Sequence, residues 1–280
     1  MYLKFLMFYF FFYKLIKLVF FRRYFKHKCV LITGGAGALG VNLANEFLKT
    51  PDTKVILMDI NEENLNNIKK QYPRVITVKC NITDYSLLKK TVENLLVEHD
   101  IDTIINNAGI VYKKSLLELT NKEINLSYNV NSIAPMYLTK LILPHMIKNK
   151  RGHIINISSV AGLVGINRLT DYCASKFALV GFHCALRAEL AQYKNIHTSC
   201  ICPYFFRSNL FNKCKGYPWP LNYIMYVYSV KEIASLIHRD VQNLKELVIY
   251  PKIFGWLLRI RYMFPIYIQD KFITWGSNIG

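Results

Sequence analysis

Cys29-Val30-Leu31-Ile32-Thr33-Gly34-Gly35-Ala36-Gly37-Ala38-Leu39-Gly40 is the stretch that decides the fold. Its first five residues are apolar or β-branched and read as a buried strand. A glycine run follows at once, and behind it comes a helical pattern through Leu43, Ala44, Phe47 and Leu48. Strand, glycine turn and helix in that order suit a dinucleotide: the glycines let the backbone approach a pyrophosphate, whose charge then meets the helix N-terminus. Gly34, Gly37, Leu39 and Gly40 are the candidate contacts. Lys54-Val55-Ile56-Leu57-Met58-Asp59 reads as the next strand and ends in an acid nineteen residues past Gly40. A carboxylate there accepts from a ribose 2′-hydroxyl and repels a 2′-phosphate, so Asp59 favours NAD over NADP.

The alternation continues outward. Helical patterns over 61–71, 84–99, 121–148 and 170–192 separate apolar runs at 75–78, 102–105, 153–157 and 197–202. Ser229-Val230-Lys231-Glu232 is a capping box that opens a helix to about residue 243, and Leu247–Tyr250 supplies a last strand. Strands alternating with helices at this spacing predict an α/β, Rossmann-type, doubly wound parallel sheet of about seven strands over residues 29–250. Ligands of such sheets gather at the carboxyl ends of the strands. Gly34–Gly40, Asp59, Asn106–Gly109, Ser158-Ser159 and Pro203–Ser208 all fall at such ends.

The net charge of the 280-residue chain is +18, and over half of the excess sits in two terminal segments. Residues 1–28 carry seven basic and no acidic residues among Phe, Tyr and Leu. Residues 2–21 are long enough, at about 30 Å as a helix, to cross a hydrocarbon core, and no small-x-small cleavage site follows them. The expectation is an uncleaved membrane anchor over 1–28, with the basic cluster from Arg22 favouring a cytosolic domain behind it. Residues 251–280 mix Trp256, Leu257, Leu258 and Ile260 with Lys252, Arg259 and Arg261, the pattern of a basic amphipathic segment at a membrane or subunit interface. Basic charge interleaved with aromatic residues points to an anionic lipid surface, and no zinc-finger or RNA-recognition motif supports nucleic acid. The seven cysteines are scattered, without zinc spacing, and the seven histidines form no HxH or HExxH pair, so no metal is expected. Cys200 and Cys202 are expected on opposite faces of a strand, unsuited to a bridge.

The chemistry is expected in Asp171-Tyr172-Cys173-Ala174-Ser175-Lys176. On a helix, Tyr172 and Lys176 share a face one turn apart. An ammonium beside a phenol favours the phenolate and lowers its pKa toward the range of general acid-base work.

With these motifs the chain resembles the short-chain dehydrogenase/reductase family. The marks are the Thr33-Gly34 turn, Asn106-Asn107-Ala108-Gly109, and Tyr172-x-x-x-Lys176 with Ser159 thirteen residues before the tyrosine. Asp171–Phe177, Val180-Gly181-Phe182-His183 and Cys202-Pro203-Tyr204 are similar to the membrane-bound branch that contains epidermal retinol dehydrogenases and lipid-droplet 17-beta-hydroxysteroid dehydrogenases. The resemblance implies hydride transfer between NAD and a lipophilic alcohol or carbonyl, retinol- or steroid-like. It implies Tyr172 as acid and base, Lys176 beside it and on the ribose, Ser159 on the oxyanion, and Asn131 holding a water that links Lys176 to solvent. It implies further dinucleotide contacts at Asn81, Ile82, Asn107, Ala108, Gly109, Pro203 and Ser208, with Tyr172 and Lys176 also touching the cofactor. The setting it implies is the endoplasmic reticulum membrane or a lipid droplet, and pairing through the long helices would give a homodimer.

Three positions depart from the pattern. Ala38 stands where the family turn usually has glycine, and its methyl crowds the pyrophosphate. Asn81 replaces the acid often found near the adenine, and Arg207-Ser208-Asn209 stands where the branch has Asp-Thr-Gly. The alternative to the enzyme is a catalytically silent membrane or lipid-droplet scaffold of the same fold; a third reading is a reductase of small cytosolic carbonyls.

Overall fold

A computed structural model describes residues 24–204, 206, 226–261, 263–268 and 271. The anchor stretch 1–23, Arg207 and Ser208 lie outside the described residues. Seven strands form one sheet: β1 (Cys29–Thr33), β2 (Lys54–Asp59), β3 (Val75–Lys79), β4 (Thr103–Asn106), β5 (Gly152–Ile157), β6 (Ile196–Pro203) and β7 (Leu247–Tyr250). Their order is β3-β2-β1-β4-β5-β6-β7, and every neighbouring pair is parallel. The order reverses between β1 and β4, which opens the crevice where such sheets hold ligands.

The helices are α1 (Ala38–Leu48), α2 (Glu62–Gln71), α3 (Tyr85–Glu98), α4 (Asn121–Tyr128), α5 (Ala134–Lys148), α6 (Thr170–Glu189), α7 (Val230–Gln242) and α8 (Lys252–Arg261). Alternate strand residues enter opposite layers. Val30, Ile32, Val55 and Leu57 pack with Leu43 and Phe47 of α1 and Ile233 and Ile237 of α7. Leu31, Ile56, Met58 and Ile104 pack with Leu88 and Val92 of α3 and Leu138 and Ile142 of α5. Each of these side chains is at most 1 % exposed, and full burial of one stabilises the fold by roughly 1.5–3 kcal/mol. The starts of the polar helices are written locally. Asn61 and Asp84 accept from the N–H groups of Asn64 and Leu87, and Thr120/Glu123 and Ser229/Glu232 close capping boxes.

Residues 121–148 are helical throughout, as the sequence predicts, with a π-turn at Asn129–Ile133 where α4 passes into α5. A single wide turn leaves the apolar periodicity on either side intact, so the pattern hides it. One boundary differs from the sequence expectation: the folded unit reaches back past Cys29 into the expected anchor. Phe25 and His27 are 5 % and 3 % exposed, the Phe25 N–H donates to the Gln242 carbonyl at 2.9 Å, and the Arg151 guanidinium lies 4.3 Å from the Phe25 ring centre. Among the described residues no helix is long and apolar enough to cross a membrane.

Candidate active site

The dinucleotide side is built by the turn after β1. Gly34 has φ +62°, a left-handed backbone that glycine adopts freely. A Cβ there would come 2.8 Å from Ala108 Cα, and one at Gly40 would come 2.4 Å from the Gly34 carbonyl oxygen. The first turn of α1 is therefore pressed onto the glycine loop. Gly37 caps α1 without a side-chain hydrogen bond, so no side chain competes for the amide donors there, and the cap itself is exposed. These donors fit an anion. Leu39 is buried in the core behind the turn.

Asp59 stands beside this cradle. Its carboxylate accepts from the Ala36 N–H and the Asn61 N–H, both at 3.0 Å, which fixes the acid against the turn. The Cys80 N–H donates to the Asp59 carbonyl at 2.9 Å and brings Asn81 and Ile82 alongside. Asn81 Oδ1 accepts from the Thr83 N–H and hydroxyl at 3.2 and 2.9 Å. From the other side, Thr33 Oγ1 accepts from the N–H groups of Asn107 and Ala108, and Asn107 Nδ2 donates to the carbonyls of Thr33 and Gly34 at 2.9 and 3.1 Å. These bonds splice the ends of β1 and β4 and lay Gly109 in the crevice. The residues present fit a nicotinamide dinucleotide: an amide-lined, uncapped turn for its pyrophosphate and an acid for its ribose.

The reactive side joins α6 to the ends of β5 and β6. Tyr172 and Lys176 share one face of α6, with Lys176 Nζ 5.7 Å from the Tyr172 ring centre. Ser159 follows β5. Its hydroxyl accepts from the Ala161 N–H at 3.1 Å and lies 3.4 Å from the Pro203 carbonyl. Ser158 is turned the other way and donates to the Lys176 carbonyl at 3.2 Å. Burial pushes the Tyr172 phenol up to about 12, and the hydrogen bond with Ser159 offsets this only in part. Burial likewise pulls the Lys176 ammonium down to about 8. The expected depression of the phenol is thus reversed. Desolvation outweighs the lysine because Nζ donates to the Ile157 carbonyl at 2.9 Å instead of to the phenol.

Asn131 sits in the π-turn, fully buried. Its Oδ1 accepts from the Ile110 N–H at 2.9 Å, and its Nδ2 donates to the Ile110 carbonyl and to Ser175 Oγ, both at 3.0 Å. The side-chain amide thus ties Ile110 to α6, and Oδ1 keeps a second acceptor site. A Cβ at Gly109 would come 3.4 Å from Asn131 Oδ1 and 3.5 Å from Lys176 Nζ, so the two groups border the same open space beside Gly109. The roles of Ile110 and Ser175 had no signal in the sequence, one acting through its backbone and the other being a small helical residue. Cys200 and Cys202, expected on opposite faces, share one: their sulfurs are 3.9 Å apart and buried, because every second residue of a strand returns to the same side. Among the described residues no three His, Cys, Asp or Glu side chains could hold a metal ion.

A short chain dehydrogenase family profile matches residues 28–216. The chain belongs to the short-chain dehydrogenase/reductase family. It is an NAD(P)-dependent oxidoreductase acting on CH–OH groups or the corresponding carbonyls. This dehydrogenase is 33 % identical to human epidermal retinol dehydrogenase 2 over 246 residues, 85 % of this chain and 78 % of that protein. It is 31 % identical to human 17-beta-hydroxysteroid dehydrogenase 13 over 243 residues, 84 % of this chain and 79 % of that one. A short-chain dehydrogenase from Streptomyces avermitilis superposes with TM-score 0.72 at 23 % identity, over 85 % of this chain and 94 % of its own.

Proposed function

We propose that this dehydrogenase oxidises a lipophilic alcohol, or reduces its carbonyl, with NAD, at the surface of the endoplasmic reticulum or a lipid droplet. The observation that carries the reading is the meeting of Ser159 and Tyr172 beside an apolar wall. Val160, Val164 and Leu258 are buried there with Ile166, Tyr204 and Phe254 packed against them. Such a wall suits a retinoid- or steroid-like skeleton, which would gain roughly 25 cal/mol for each Å² buried. Asp59 supports NAD over NADP.

When bound, the dinucleotide accepts or supplies the hydride at its nicotinamide ring. Gly34, Gly37, Gly40, Asp59, Asn107 and Gly109 would hold it, with Asn81, Ile82 and Pro203 at the edges. Tyr172 takes the hydroxyl proton during oxidation and returns it during reduction. Ser159, whose single hydroxyl proton points at the Pro203 carbonyl in the structure, would turn it onto the substrate oxygen, so charge developing on that oxygen meets a donor. Lys176 supplies the positive charge of the site. Asn131 holds Ile110 and the π-turn against α6.

The outer face of α8 supports a lipid surface. Ile253, Trp256, Leu257 and Ile260 are 44–62 % exposed, and Met263 and Ile266 beyond them are 81 % and 74 % exposed. The same helix packs Leu258 and Phe254 beneath the substrate wall, which would let a substrate enter from the lipid. Residues 2–21 would provide the anchor, with the catalytic domain in the cytosol. Leu126, Phe177 and Tyr137, 37–45 % exposed on α4, α6 and α5, support pairing of two copies.

One exposed residue favours the silent scaffold. The Ala38 methyl lies at the N-terminus of α1, where the pyrophosphate would sit. A turnover screen of the full chain in lipid vesicles decides between them, with NAD and NADP against retinol, steroid and fatty alcohols. Turnover preferring NAD and a lipophilic alcohol is expected; vesicle or droplet binding with no turnover on any substrate supports the scaffold.

A further inference from the structure

The first turn of α6 is keyed to the π-turn by side chains that the chemistry above does not use. Ser175 is fully buried. Its hydroxyl donates to the Tyr172 carbonyl at 2.8 Å and accepts from Asn131 Nδ2 at 3.0 Å. Its own carbonyl accepts from the Ser132 hydroxyl at 2.6 Å. One turn earlier, the buried Asp171 carboxylate accepts from the Ser127 hydroxyl. Three side chains of the 127–132 segment therefore grip Asp171 and Ser175 of α6; Tyr172 lies between these two residues and Lys176 directly follows the second.

We infer that Ser175 is a positioning residue of the reaction, acting through Asn131. A hydroxyl has one proton, and Ser175 has given it to Tyr172, so toward Asn131 it can only accept. That choice fixes the amide with its nitrogen toward α6 and its oxygen toward the Ile110 N–H. Ile110 directly follows Gly109, and Asn131 and Lys176 border the space beside that glycine. Ser175 thus ties the main chain of the tyrosine's turn to the wall of the crevice facing Lys176. A serine is a poorer helix former than alanine and buries a polar group, and here both its hydrogen-bonding capacities are used. A residue retained merely for its small size would have no need of either bond.

The inference rests on the reading of Tyr172 and Lys176 as the reactive pair, and its test separates the two. The full chain in vesicles is compared as wild type, Ser175→Ala, Asn131→Ala, the double variant and Ser175→Thr, which keeps the hydroxyl. Ser175→Ala removes both hydrogen bonds of the hydroxyl and is expected to lower kcat about tenfold, with the dinucleotide Kd within about twofold. Adding Ser175→Ala to Asn131→Ala is expected to change kcat by less than about twofold, since both act on one contact. Hydrogen exchange at the Ile110 amide should quicken about tenfold in Ser175→Ala while the amides of β1 keep their protection, and Ser175→Thr should restore both readouts. If Ser175→Ala fails to fold, Ser175→Cys, with a weak sulfur acceptor, is read by the same criteria. Losses in kcat that multiply across the two sites, or unchanged exchange at Ile110, overturn the inference. A Tyr172→Phe control that keeps turning over defeats the underlying reading instead.

Discussion

Lys176 Nζ donates to the carbonyl of Ile157 at 2.9 Å while lying 5.7 Å from the centre of the Tyr172 ring. The ammonium is spent on the backbone of β5, and the phenol is left to its burial. That arrangement gives the buried lysine a thermodynamic signature. Its proton is lost near pH 8 in the folded chain and near 10.5 when unfolded, so between these values the unfolded state binds more protons. Stability should therefore rise as pH is raised from about 8 to 10.5, by on the order of 3 kcal/mol in all. Lys176→Met should abolish that rise, be more stable than wild type at pH 7, and lose about 10²- to 10⁴-fold in turnover. Thermal unfolding against pH, paired with kcat, checks both.

Acid should loosen the opposite end of the sheet. His27 and His153 stack with ring centres 5.5 Å apart, and both are buried. Thr103 Oγ1 donates to Asp102, so it accepts from Nδ1–H of His27, and Nε2 of His27 is left without a partner. Ser199 donates to the Lys245 carbonyl and so accepts from His153, whose Nδ1 is likewise unpartnered. Burial, reinforced by His238 and Arg151, pulls His27 down to about 3. The folded imidazole stays neutral while the unfolded one takes a proton below about 6.5, so stability is lost as pH falls from 6.5 toward 3. The loss from His27 alone is on the order of 5 kcal/mol over that span, and His27→Gln should flatten the acid limb of a denaturation series.

Two glycines should answer oppositely to alanine. At Gly40 the new methyl would lie 2.4 Å from the Gly34 carbonyl oxygen, so Gly40→Ala should displace the turn, cost roughly 1–3 kcal/mol and weaken dinucleotide binding. Gly181 is exposed within α6 and its Cβ would meet nothing within 4 Å. Gly181→Ala should stabilise by about 0.5–1 kcal/mol without changing turnover. Chemical denaturation and fluorescence titration with NADH measure the pair.

Cofactor choice should move with one carboxylate. Asp59 is held to the turn by the Ala36 N–H at 3.0 Å, where it would meet a 2′-phosphate as a like charge. Asp59→Asn removes that repulsion, and the ratio of kcat/KM for NAD over NADP should fall at least about tenfold. An unchanged ratio would remove the argument for NAD.

The strands were legible because a buried parallel sheet writes itself as short apolar runs, and the capping box at Ser229 marked the start of α7 to the residue. The acid at Asp59 and the glycine turn were legible for the same local reason. What lay hidden depended on distant partners. Asn131 gave no hint that its amide is tied to Ile110 and Ser175, because those bonds span 21 and 44 residues. The direction of the Tyr172 shift turned on where the Lys176 ammonium points and how dry the site is, neither of which spacing encodes. Phe25 and His27 were masked because they stand among Arg22, Arg23, Lys26 and Lys28, a basic cluster that reads as the flank of the apolar run. The shared face of Cys200 and Cys202 was legible from strand period alone; the expectation of opposite faces misapplied it.

The central claim is that the Tyr172 phenol moves the proton during hydride transfer. Its most direct test is single-turnover reduction of NAD by a lipophilic alcohol in wild type and Tyr172→Phe, with dinucleotide binding measured on the same samples. The account predicts that Tyr172→Phe binds NADH within about threefold of wild type yet loses at least about 10²-fold in the chemical step. Turnover within a few-fold of wild type, with binding intact, would contradict it.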